Sequence, residues 1–154
     1  MLTAYLLIKY PHVLAAIVAI GTNVTYGVWI GRASRDPAML PFALRGVKML
    51  DDRIANPAYG LLLLSGFAMT GVSRTPISTP WILTSLVLFV LTVLIALFGF
   101  TPTLKRQIAT LDGAGAQSAE YLTLARRGST LGAILAVLVL TIVFLMVVKP
   151  SLWA

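Results

Sequence analysis

His12 is the only imidazole in the chain, and there is no cysteine, so ligand chemistry has one nitrogen to start from. Neutral imidazole is a common ligand of haem iron, and it serves equally as a hydrogen-bonded structural side chain. Met69 and Met146 fall at similar depth in later apolar runs, and either offers a thioether as second axial ligand to a haem b. With His12 they also compose a soft copper set. A bis-histidine haem inside one chain is excluded. Ala16, Ala19, Asn23 and Tyr26 follow His12 at steps of four, three, four and three, which is one stripe of a helix. That stripe either packs on a neighbouring helix or lines a cleft for a flat cofactor or a lipid-like substrate. No acidic residue falls within the apolar runs, which leaves a carboxylate proton relay little to work with. No Ser–His–Asp set, phosphate loop or zinc spacing is present.

The elements that must position these residues are membrane helices. The chain is 58% hydrophobic and 11% charged, with a mean hydropathy of +0.92. Soluble domains carry roughly a quarter charged residues. The excess of 12 Lys and Arg over 5 Asp and Glu sits between apolar runs, which excludes a nucleic-acid surface and points to membrane topology. A spanning helix needs about 20 mostly apolar residues. Four runs qualify, at about 11–30, 57–73, 80–101 and 128–148, with 2–10 as an outward extension of the first. Small and polar residues give the later spans an inward face too: Tyr59, Gly66, Thr70 and Ser73; Ser85, Thr92, Ala96 and Gly99; Gly128, Gly132 and Ala136.

Between the first two spans, Asp36-Pro37 reads as a cap followed by a first-turn proline. Leu40, Leu44, Val47, Leu50 and Ile54 then recur at helical spacing, predicting an amphipathic cytoplasmic helix on the membrane surface. Asn56-Pro57 reads as the cap of the second span and Ser118 as the cap of a helix feeding the last. Thr101-Pro102 need not end the third helix, which can run towards Leu111. Nine of the twelve basic residues lie in the two long connections. By the positive-inside rule those connections are cytoplasmic and both termini lie on the outer side. Trp81 and Trp153 then fall at the outer interface and Trp29 at the inner one, and His12 sits about one turn inside the outer boundary.

Lys9-x-x-His12, Val13-Leu14-Ala15-Ala16 and Gly21 resemble the opening of a family of predicted bacterial integral membrane proteins, a four-helix domain of unknown function. The opening is also similar, more loosely, to copper-resistance membrane proteins of the CopD type and to the bacterial membrane-bound protoporphyrinogen oxidase. The oxidase resemblance implies a haem or porphyrin role for the histidine, which maps onto His12. Ala19 stands where those relatives carry an aromatic residue, Arg32 follows Tyr26 only after six positions, and spans three and four lack an internal lysine. These departures separate the chain from the oxidase activity.

The expectation is therefore an all-α, single transmembrane domain over residues 1–154, a four-helix bundle in the bacterial inner membrane. Its role is that of a structural or accessory subunit, packed in lipid as a homo-oligomer or within a larger membrane complex. The alternative is a haem-b protein for electron transfer or porphyrin chemistry with His12 as axial ligand, and a weaker one is copper handling. The site residues on those readings are His12, Met69, Met146, Asn23 and Tyr26.

Overall fold

The computed structural model describes residues 2–152 and, among them, is helical without strands. Trp153, expected at the outer interface, lies outside the described residues. Four helices follow one another with tight turns. Helix α1 is Leu2–Ala33. Helix α2 covers residues 37–73, starting in a 3-10 turn at Pro37–Met39 and continuing through Leu40–Leu50, Asp51–Ala55 and Asn56–Ser73. Helix α3 is Pro80–Ala114 and helix α4 is Ala119–Val148. Three stretches are long and apolar enough to cross a membrane: Thr3–Ala33, Pro80–Ala114 and Ala119–Val148. The fourth, Asn56–Ser73, is shorter, with 18 residues, and runs antiparallel to α1.

Local chemistry accounts for the turns. The Asp36 carboxylate accepts the Ala38 amide and Pro37 opens the helix, as the sequence suggests. Ser118 accepts the Tyr121 amide at the start of α4. Gly115, at φ 82°, closes α3 in a backbone region that a side chain would strain. Pro11 lies inside α1, which begins at Leu2 and so includes the extension over residues 2–10.

The long basic connections are thus not loops. They are helical ends that extend past the expected spans and pack on one another. Helix α2 does not restart at Asn56-Pro57, and α3 runs through Thr101-Pro102 to Ala114. Each continues because a π-helical turn precedes the proline: Asp51–Ala55 in α2 and Ala96–Phe100 in α3. Proline has no amide to donate and its ring crowds the carbonyl four residues back. A wider i→i+5 turn relieves that clash without breaking the helix.

The apolar core sits at this basic end. Leu40, Leu44 and Val47 of α2 meet Tyr26 and Ala33 of α1, Phe100 and Leu104 of α3, and Tyr121 of α4. The amphipathic helix expected in the first connection is present as Leu40–Leu50, but its apolar face is buried in protein rather than resting on lipid. Arg45 pairs with Asp112 at 2.8 Å across α2 and α3, and Lys48 with Asp52 within α2. Towards the other end the bundle resolves into two antiparallel pairs, α1 on α2 and α3 on α4. Lys149 lies over the Trp81 ring there, 5.2 Å from its centroid, and ties the end of α4 to the start of α3.

Candidate functional site

The stripe on α1 faces α2. Ala19 is fully buried, Ala15 and Tyr26 are nearly so, and His12, Ala16 and Asn23 are half-buried beside them. Small residues at helical spacing let the two backbones approach, and the polar members then reach across. His12 Nδ1 lies 2.8 Å from Ser65 Oγ. The Ser65 hydroxyl has one hydrogen, and it donates that to the Leu61 carbonyl of its own helix. Ser65 therefore accepts from His12 Nδ1–H, which leaves Nε2 as the imidazole lone pair. The ring packs directly on Gly66, where a Cβ would stand 3.5 Å from His12 Cε1, at van der Waals contact.

His12 lies well inside α1. Ten residues of helix α1 precede it, about 15 Å of helix, and its partner Ser65 lies midway along Asn56–Ser73. Met69 is half-buried on α2, about one turn beyond Ser65 towards Ser73. Met146 is half-buried on α4, whose main partner is α3. The structure thus brings His12 together with Ser65 and Gly66, while Met146 belongs to the other helix pair. Among the described residues no group of three or more His, Asp or Glu is placed to hold a metal ion.

A second polar layer lies nearer the basic end. The Asn23 amide donates to the Tyr59 hydroxyl, joining α1 to α2 again. Tyr26 stacks on Phe100 of α3 with ring planes 5° apart and centroids 6.4 Å apart. Among the described residues the Tyr26 hydroxyl is buried with no hydrogen-bond partner, and so is the Ser85 hydroxyl on α3. Asp51 sits in the same layer, 6% exposed, and accepts from Thr101 Oγ1 at 3.3 Å. Its charge is close enough to bear on both Tyr26 and Tyr59. Burial pushes the Asp51 carboxyl above the ordinary aspartate range, and neighbouring Asp52 adds to this. Thr101, Lys48 and Asn56 pull the other way.

Sequence reasoning missed Asp51, and the signal for it was present. Continuing the steps of four and three from Leu40 through Leu44 and Val47 lands on Asp51, on the buried face. Asp51 lies outside the 57–73 span, so the absence of acidic residues from the spans holds, yet a carboxyl does enter the bundle interior. Asn56 and Thr101 each stand just before a proline and just after a π turn, and both bear on this one carboxylate. Chemically, the layer can hold one proton or one hydrogen-bonded carboxylate where the two helix pairs meet.

A family model described as a predicted integral membrane protein (DUF2269) matches residues 6–150. No curated protein and no solved structure matches the chain.

Proposed function

The chain belongs to the DUF2269 family of predicted integral membrane proteins, and from that premise we propose a structural or accessory role in the bacterial inner membrane. On this reading all four helices cross the bilayer, Asn56–Ser73 included, because it lies antiparallel along a helix that is itself long enough to cross. Both turns at the basic end face the cytoplasm and both termini face outward, in keeping with nine basic residues at that end and three elsewhere.

One observation carries the accessory role. The ionisable residue inside the first span has its Nδ1–H engaged by a serine of the neighbouring helix, and Asn23 is engaged by Tyr59 in the same way. Polar groups spent on each other across a helix pair hold that pair together. The test is the absorption spectrum of detergent-purified protein from haem-replete cells, before and after dithionite, with metal analysis alongside. A colourless, copper-free protein is expected. A Soret band abolished by His12→Ala would replace this reading with haem ligation through Nε2. Stoichiometric copper lost with the same substitution would replace it with copper handling.

A further inference from the structure

One flank of the molecule, where α1 ends and α2 begins, carries two adjoining recesses. The first encloses about 530 Å³ and is lined by Trp29, Arg32, Arg35, Asp36, Met39 and Phe42, among others. The second encloses about 240 Å³, shares Trp29 and Phe42 with the first, and continues along Gly46, Val47, Met49 and Leu50. They form one groove with a charged end and an end without any charged side chain.

The charged end suits an anion. Among the described residues the salt bridges are Arg45–Asp112 and Lys48–Asp52, so Arg32 and Arg35 stand outside them. Asp36 shares the recess, but its Oδ1 accepts the Ala38 amide at 3.1 Å and caps the helix start. Two guanidinium groups against one committed carboxylate leave a net positive recess. Guanidinium forks match phosphate oxygens in geometry as well as charge.

The two ends also follow one another along the helices, from the turn towards the apolar spans. Arg32 and Arg35 flank the turn at the basic extremity of the bundle. Gly46, Val47, Met49 and Leu50 lie further along α2, towards Ser73 and the apolar spans. Trp29 meets Phe42 edge-on, with centroids 6.0 Å apart, and marks the level between. Both rings are exposed, as is Met49, in a belt where indole and phenyl rings meet headgroups. A lipid entering from the bilayer would find its charge and its tail each facing the matching end.

We propose that this groove binds one anionic phospholipid of the surrounding bilayer, its phosphate at Arg32 and Arg35 and an acyl chain along Gly46, Val47, Met49 and Leu50. Basic recesses between membrane helices recognise anionic headgroups in this way. The proposal requires only that this end meets a membrane surface, and it does not depend on the accessory role.

The test is native mass spectrometry of the full chain released from micelles holding equal amounts of phosphatidylglycerol and phosphatidylcholine. Retention of one phosphatidylglycerol per chain is expected. R32Q/R35Q should weaken it by about thirtyfold, taking roughly a fivefold loss for each basic residue removed near a headgroup. R126Q/R127Q, which removes the same charge from exposed positions on α4, should retain the lipid. Gly46→Phe fills the apolar end while leaving both arginines; a Cβ at Gly46 meets nothing within 4 Å, so the helix accommodates it. It should also release the lipid. Equal retention of the two lipids would overturn the proposal. So would unchanged retention in R32Q/R35Q, or displacement by excess inorganic phosphate alone, which would mark a free-anion site.

Discussion

The two antiparallel pairs share a layout but are fastened by different means. Between α1 and α2 the ties are hydrogen bonds, His12 to Ser65 and Asn23 to Tyr59, with the imidazole packed on Gly66. Between α3 and α4 one buried hydrogen bond, Gln107 to Tyr121 at 3.4 Å, and Lys149 over Trp81 stand beside a longer seam of side chains packed on glycine. A Cβ on Gly99 would stand 3.4 Å from Leu131, one on Gly128 3.6 Å from Gln107, and one on Gly132 4.0 Å from Phe100. Lipid tails are as apolar as the helices, so association must come from packing or from polar contacts. In the membrane-embedded length away from the Gln107–Tyr121 layer, the first pair should therefore respond more to the chemistry of a few side chains, and the second more to volume. The Asp51–Thr101 contact and the basic-end core join them.

Gly128→Leu should produce the largest separation between the two. Bulk added at a close-packed interface typically costs about 1–3 kcal/mol. The same change at Gly27 on α1, where a Cβ meets nothing within 4 Å, should alter stability by less than about 0.5 kcal/mol. Unfolding by SDS titration from mild micelles measures both. Equal losses at the two positions would remove the volume argument for the second pair.

Asp51, where the pairs join, gives the next effect, and it depends on pH. A carboxyl raised by burial binds its proton more tightly in the folded chain than in the unfolded one. Its contribution is therefore full below the ordinary aspartate range and is lost as pH rises through the raised value. Each pKa unit of elevation corresponds to about 1.4 kcal/mol. Asp51→Asn keeps an acceptor for Thr101 without the charge. The variant should match the parent in acid and exceed it near neutrality. Parallel stability curves for the two across that range would show that Asp51 is not the group responsible.

Much of the fold was legible because hydropathy and helix capping are local properties. The inward stripe of His12, Ala19, Asn23 and Tyr26, the caps at Asp36 and Ser118, and the passage of α3 beyond Pro102 all follow from spacing and residue type. The continuity of α2 was not legible. Asn56-Pro57 has the signature of a helix start, and nothing local reveals that a π turn will carry the helix past it. That same turn adds a residue to the register, which is why Ile54, expected on the apolar face, is 38% exposed while Ala55 is fully buried. The site near Asp51 was hidden for a related reason. It is assembled from Tyr26, Thr101 and Asn56 on three helices, so its parts are far apart in the chain, and reading spans one at a time keeps them apart.

The smallest effect sharpens the claim about the first pair. If Asn23 and Tyr59 hold α1 to α2, the two side chains are energetically coupled. A double-mutant cycle with Asn23→Ala and Tyr59→Phe isolates that coupling from the separate losses each change brings. Tyr59 also packs edge-on against Phe89 of α3, at 6.2 Å between centroids, and the phenylalanine variant retains that contact. Hydrogen bonds between membrane helices average about 0.6 kcal/mol by this measure, so a coupling of that order is expected. Zero coupling would move Asn23 from fastener to bystander. The first pair would then rest on His12, Ser65 and its alanine stripe alone, and the contrast with the glycine-packed pair would narrow to a single hydrogen bond.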